Sequence, residues 1–178
     1  IMRGLYPFDI AKKPAKAHVR LMGCGAIFRE ILAAKEMLEN EWKCTVDVWA
    51  APSFTLLARD GQDAQREDLA GAKARTPYVT ECLSQSDAPV IAASDYIKAW
   101  PEMIRAFVPA PFVTLGTDGF GRSDTREALR DFFEVDRRWI ALAALKALVD
   151  SGAKPASVLT KARKAYGISA DHPNPRLS

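Results

Sequence analysis

The residues best equipped for chemistry in this 178-residue chain form one run, Gly116-Thr117-Asp118-Gly119-Phe120-Gly121-Arg122-Ser123-Asp124-Thr125-Arg126-Glu127. Gly116, Gly119 and Gly121 let the backbone turn sharply. Arg122, Ser123, Asp124 and Arg126 follow as a compact polar and charged set. A glycine-rich turn that opens into a helix gathers free N–H groups. With an arginine beside them, such groups can hold a phosphate or a carboxylate. The same run also reads as structure alone. In that reading Asp124 caps a helix, with Glu127 at the capping-box spacing, and an arginine pairs with Asp118 or with a neighbouring chain. Glycine-rich corners outnumber phosphate sites, so the residues leave both readings open.

Other chemistry is sparse. Thr117-Asp118-Gly119 is similar to part of a thiamine diphosphate motif, which has Gly-Asp-Gly and a spaced asparagine further on. Here threonine replaces the first glycine, and the only asparagines are Asn40 and Asn174. A Mg²⁺–diphosphate site at Asp118 is therefore rejected. Gly23-Cys24-Gly25-Ala26-Ile27-Phe28 invites a dinucleotide reading, with Asp47 as the ribose-binding acid. Phe28 stands where the third glycine would allow close helix–strand packing, so a tight turn into a helix is the better reading. His18 and His172 have no metal-ligand partner at i+3 or i+4. There is no G-x-S-x-G elbow and no Walker loop. Asp131 and Glu134 read as solvated helix-end carboxylates rather than an acid/base dyad. Arg59, Asp60 and Asp63 lie in a charged stretch that reads as a solvated face, with an interdomain or subunit contact as the alternative.

The elements that must position these residues alternate between strand and helix. His18–Met22, Cys44–Ala50, Tyr78–Leu83, Pro89–Ala93 and Phe112–Leu115 are predicted strands. Ile27–Leu38 is a predicted helix with Ile27, Ile31, Ala34 and Leu38 on one stripe. Ser53 caps a short helix to Arg59 that Asp60-Gly61 breaks, and Asp63–Ala72 is an exposed helix or surface excursion. A helix is placed at Pro101–Phe107, with Tyr96 and Trp100 as packing residues. Arg126–Phe133 is a helix after the glycine run. Asp136 caps another over Arg137–Asp150. A last helix starts at Lys154-Pro155 and ends at Tyr166 before Gly167, with Val158, Leu159, Ala162 and Ala165 as its apolar face. His172-Pro173-Asn174-Pro175-Arg176 is a rigid non-helical tail along a surface. Strand–helix–strand units of this kind imply a parallel sheet with helices on its faces.

Composition agrees with one globular domain. Hydrophobic residues are 48% and charged residues 26%, an ordinary balance for a chain able to bury a full core. The net charge of +3, with basic and acidic residues interleaved, argues against a nucleic-acid surface. No apolar run reaches membrane-spanning length, and the start lacks a secretory pattern. Cys24, Cys44 and Cys82 are widely spaced and read as reduced thiols in a cytoplasmic protein. Residues 1–15 lack periodicity and read as a lead-in or linker from a preceding domain, with 16–178 as the domain itself. The chain begins at Ile1 rather than methionine, as a piece of a longer protein would.

Three strings together carry a family resemblance: Gly116 to Asp124, Ser53-Phe54-Thr55 with Leu57-Ala58-Arg59-Asp60-Gly61-Gln62-Asp63, and Asn174-Pro175-Arg176-Leu177. From about Leu5 to Ser178 the chain resembles the last domain of the homodimeric, thiamine diphosphate-dependent decarboxylase component of pyruvate dehydrogenase complexes. That domain is of the transketolase C-terminal type. The resemblance implies an α/β fold of three layers, α/β/α, with a mixed, mostly parallel five-stranded sheet. It implies that thiamine diphosphate and Mg²⁺ are bound by preceding domains, and that this chain is an assembly element, inactive alone. The reaction implied is decarboxylation of pyruvate with reductive acetylation of lipoyl groups on dihydrolipoamide acetyltransferase, in the bacterial cytoplasm. No catalytic residue of the family carries over to a position here. The alternatives are the same domain type from a transketolase or another thiamine diphosphate enzyme, or a stand-alone nucleotide- or anion-binding module built on the glycine turns.

Overall fold

The computed structural model describes residues 2–178. Its centre is a five-stranded sheet in the order β1-β3-β2-β4-β5. The strands are β1 (Tyr6–Asp9), β2 (His18–Gly23), β3 (Thr45–Ala50), β4 (Val90–Ala93) and β5 (Phe112–Leu115). Strands β2 to β5 pair in parallel, and β1 runs antiparallel to β3 at the edge. Val90 to Ala93 are all buried, as are Val19, Leu21, Val46 and Val48. Such unbroken apolar runs belong to strands covered on both faces.

Helices α1 (Phe28–Asn40), α6 (Arg137–Asp150) and α7 (Ser157–Tyr166) cover one face. Ile27, Ile31, Ala34 and Leu38 pack there against Val19, Leu21, Ile140, Leu145 and Leu148. Helices α2 (Phe54–Leu69) and α3 (Tyr78–Leu83) cover the other face with the α4 (Ala99–Glu102) segment. Phe54, Leu57, Val79, Leu83, Ile104 and Phe107 meet Met22, Trp49 and Val90 on that side. Each fully buried Leu, Ile or Phe side chain stabilises the fold by about 1.5–3 kcal/mol. The three layers and the mixed, mostly parallel sheet are those expected from the sequence. Helix α5 (Arg126–Phe132) follows β5, and Asp136 caps α6 by accepting from the N–H groups of Arg138 and Trp139.

Several elements differ from expectation. Tyr78–Leu83 is helix α3, not a strand. Val79 and Leu83, four apart, are both buried, and the Asp60 carboxylate accepts from the Tyr78 N–H at 2.7 Å, satisfying a helix-start donor from outside. The fifth strand is instead Tyr6–Asp9, inside the segment read as a lead-in. Ile1, the first residue of that segment, lies outside the described residues. The pairing of β1 slips between Pro7 and Asp9, and an edge position tolerates a proline without N–H. Helix α2 does not break at Gly61 but runs to Leu69. A Cβ at Gly61 would overlap the Phe107 ring, so this glycine serves close packing. Pro101–Phe107 is split into α4 and a 3-10 turn at Arg105–Phe107. The cap of α5 is Thr125, whose hydroxyl accepts from Ala128 N–H at 3.3 Å. Asp124 sits one residue earlier and accepts from Thr125 N–H at 2.6 Å. On α7, Tyr166 takes the buried place expected of Ala165, which is exposed.

Candidate functional site: a cleft between two glycine turns

From β2 the chain crosses to β3 on one side, and from β4 it crosses to β5 on the other. The carboxyl ends of β2 and β4 therefore lie side by side where the winding reverses, with Gly23 opposite Ala93. Ligands of open α/β sheets collect at such reversal points. A Cβ on Gly23 would lie 2.7 Å from Ile31, so glycine here lets α1 close on the sheet. Gly25 has φ +56° and opens the 3-10 turn Gly25–Ile27 into α1. Phe28, the obstacle to a dinucleotide reading, starts α1 and packs edge-on against Phe8 at 4.9 Å. Asp47 is no ribose ligand. Its carboxylate accepts from Ala11 N–H at 2.9 Å and pairs with His18 Nε2 at 2.9 Å.

The second glycine turn leaves β5. A Cβ on Gly116 would sit 2.6 Å from Lys98 N and Tyr96 O, so two backbones approach here as only glycine allows. Thr117 donates its N–H to Tyr96 O at 2.9 Å and its hydroxyl to Asp95 O at 3.0 Å. The Asp118 carboxylate accepts from Lys98 N–H at 2.8 Å. That bond gives Asp118 a structural role and does not suit a diphosphate-bound metal. Among the described residues, no cluster of three His, Cys, Asp or Glu side chains is arranged to hold a metal ion. Gly119 has φ +110° and the Pro175 carbonyl lies against it. The tail, expected only to run along a surface, lies against this corner.

Between the turns opens a cleft of about 670 Å³. Ala26, Ile27 and Asp95 line one side, and Thr117, Gly119, Gly121, Arg122, Asp124 and Arg126 the other. Leu129, Phe133 and Val135 add apolar lining. Arg122 does not pair with Asp118. Its guanidinium lies 4.1 Å from the centroid of the Phe132 ring. Ser123 and Arg126 are exposed, and Arg126 has no ion-pair partner among the described residues. No backbone N–H from Gly119 to Asp124 has a protein acceptor among the described residues.

Beside the cleft lies a charged network the sequence reading missed. Glu30 is buried. It accepts from Arg130 Nη1 at 2.9 Å, from Arg137 Nε at 2.9 Å and from Arg137 N–H at 3.0 Å. Burial alone would raise the Glu30 carboxyl, but the Arg137 hydrogen bonds and both arginine charges outweigh it and hold it below its usual range. Arg130 also donates to Ala26 O at 3.2 Å, tying α5 to the first glycine turn. The only sequence signal was an acid on the apolar stripe of α1 between Ile27 and Ala34. Burial, then the Asp95 charge, push the Cys24 thiol up, so Cys24 is no ready nucleophile.

Arg59, Asp60 and Asp63 are not part of this cleft; they lie on α2, on the other face of the sheet. Asp60 accepts from Arg75 at 2.9 Å and from Tyr78 N–H, which makes it a local clamp. Arg59 and Asp63 are exposed. Tyr96 and Trp100 do not pack in the core. They stack on each other at 5.7 Å and stay 59% and 39% exposed.

Residues 4–136 match the family model described as the transketolase-like TK C-terminal domain. The chain belongs to that family. Among its relatives, the pyruvate dehydrogenase E1 component of Cupriavidus necator is 48% identical over 98% of this chain, and that of Pseudomonas aeruginosa 46%. The corresponding protein of Escherichia coli K12 is 40% identical over 100% of the chain. The chain spans about 20% of the length of each. Solved transketolases share the fold. That of Leishmania mexicana superposes on 83% of this chain and 18% of its own at a TM-score of 0.55 and 17% identity. That of Campylobacter jejuni covers 81% of this chain and 18% of its own at 0.53 and 16%.

Proposed function

We propose that this chain is the C-terminal domain of a pyruvate dehydrogenase E1 component, the enzyme that decarboxylates pyruvate and reductively acetylates lipoyl groups of dihydrolipoamide acetyltransferase. The observation that carries this is identity of 40–48% with E1 components across essentially the whole chain, against 16–17% with transketolases that share only the fold. A stand-alone binding module would not account for that identity.

In this reading thiamine diphosphate and Mg²⁺ are held outside this chain. Bound there, the cofactor supplies the carbanion chemistry of decarboxylation, while this domain frames the assembly of a homodimer in the bacterial cytoplasm. No membrane or nucleic acid takes part. Supporting an assembly role are Tyr96, Ile97, Trp100 and Phe120, exposed by 59%, 53%, 39% and 80% in the loops and the short α4 that follow the carboxyl ends of β4 and β5. Arg59 and Asp63 on α2 offer a second, polar contact.

The test is a pyruvate–ferricyanide assay on the full-length natural protein. Turnover of pyruvate that requires added thiamine diphosphate and Mg²⁺ supports the reading. A full-length protein that binds the cofactor but turns over only sugar phosphates overturns it in favour of a transketolase.

A further inference from the structure

We propose that the outer face of α7 is a docking surface for an acidic segment of a partner protein. Two independent observations point to it. The first is charge. Lys154, Lys161, Arg163 and Lys164 fall within residues 151–170, which contain no aspartate or glutamate. With 22 acidic residues in 178, a stretch of that length would hold about two or three. Lys161, Arg163 and Lys164 are exposed, and none has a carboxylate partner among the described residues. Lys161 and Lys164, three apart, are neighbours on the helix surface, with Arg163 beside them. Leu159, Ala162 and Tyr166 take the opposite, buried face and join the core that α6 contributes to. Arg163 and Lys164, in the last turn, also suit the negative end of the helix dipole. That role does not extend to Lys161 or Lys154. The second observation is where α7 lies in the chain. The transketolase-like domain model ends at residue 136, whereas the E1 components align across 98–100% of the chain. Helix α7 is thus outside the stretch matched to the wider family and inside the stretch matched to the E1 relatives.

The chemistry of the face selects the class of partner. Ammonium and guanidinium groups pair with carboxylates, and complementary charge steers encounter and fixes register. A membrane is a poorer match. An interfacial helix buries large apolar side chains in lipid, and none of the exposed large hydrophobics lies within residues 151–170. A nucleic acid is also a poorer match. Stacking on bases needs an exposed aromatic ring, and the aromatic residue of α7, Tyr166, is buried, with its hydroxyl hydrogen-bonded to Trp42 and Glu41. An acidic protein segment needs neither lipid insertion nor a stacking platform. The proposal stands on these charges and alignments, whatever reaction the full protein catalyses.

The decisive experiment is fluorescence anisotropy of a labelled oligoglutamate peptide titrated with the full-length natural protein. An oligoglutamine peptide, a single-stranded oligouridylate and vesicles of phosphatidylglycerol and phosphatidylcholine serve as comparisons. The oligoglutamate should bind at least about tenfold more tightly than the oligoglutamine, and less tightly as salt rises. The Lys161→Glu/Arg163→Glu/Lys164→Glu variant should lose about tenfold of that affinity, and Lys12→Glu/Lys13→Glu, on the exposed segment between β1 and β2, should lose none. If the charge-reversed variant melts early, the corresponding triple glutamine variant carries the same expectation. The proposal falls if the oligoglutamate binds no better than the oligoglutamine, or if the α7 substitutions leave its affinity unchanged. RNA or vesicles that bind more tightly than the peptide, and lose affinity with the same substitutions, would assign the face to that other partner and overturn it. Pyruvate turnover has no bearing on any of these outcomes.

Discussion

The two ends of the sheet treat their polar groups in opposite ways. At the amino end, Arg20 is 2% exposed, and its guanidinium donates to Leu83 O at 2.6 Å and to Ala88 O at 2.6 and 3.0 Å. His18 bridges Asp47 at 2.9 Å and Ser86 at 3.4 Å. Donors and acceptors there are consumed in holding the 83–88 loop under the sheet. At the carboxyl end, Arg122 and Arg126 carry no carboxylate partner among the described residues, and the backbone N–H groups from Gly119 to Asp124 have no protein acceptor there. Polar residues that are buried and paired read as architecture. Those that line a cleft unpaired are available to something else.

Four substitutions or conditions can sharpen or break that contrast. The largest effect is expected from Arg20→Met. Leu83 O and Ala88 O would lose their donors in a buried site, at a cost of about 3 kcal/mol. A melting temperature within a degree of the wild type would show that the amino end is not held as described. Gly116→Ala should follow, at about 2–3 kcal/mol, because the new methyl meets backbone rather than a movable side chain. An unchanged melt there would show that the second glycine turn can relax away from Tyr96 and Lys98.

Glu30→Gln should cost about 2 kcal/mol at neutral pH, less than a fully buried pair because Arg137 is half-exposed. The sign with pH follows from the depressed Glu30 carboxyl. Its stabilisation is fully present above the ordinary glutamate value of 4.5 and is lost as pH falls through the lower folded value. Denaturant melts of wild type and Glu30→Gln should therefore converge in acid. A gap that stays constant from neutral pH into strong acid would mean the carboxylate charge contributes nothing. The smallest effect is expected at Arg126→Ala, within about 0.5 kcal/mol of wild type. A large loss of stability there would make Arg126 another structural residue and erase the contrast between the two ends.

The sequence by itself determined what depends on neighbours along the chain. The stripe of Ile27, Ile31, Ala34 and Leu38, the Asp136 cap, the Gly167 stop and the apolar runs of β2 to β5 are local signals, and each formed where the pattern put it. The glycine turns at Gly23 and Gly116 were legible as turns for the same reason. Tertiary structure decided the rest. Tyr78–Leu83 has the composition of a strand, and a carboxylate from Asp60 and a buried Val79–Leu83 face made it helix. Gly61 looked like a breaker because nothing nearby announces the Phe107 ring that needs its space. Tyr6–Asp9 became a strand because the β3 edge was open to it, not through any periodicity of its own. Glu30 finds Arg130 and Arg137 across 100 and 107 positions. The two glycine turns, legible singly, form one cleft only because the sheet reverses its winding between β2 and β4. Hydrogen bonds and caps act over a turn of chain and can be read from spacing. Ion pairs, close backbone approaches and clefts depend on which distant segments the folded sheet makes adjacent.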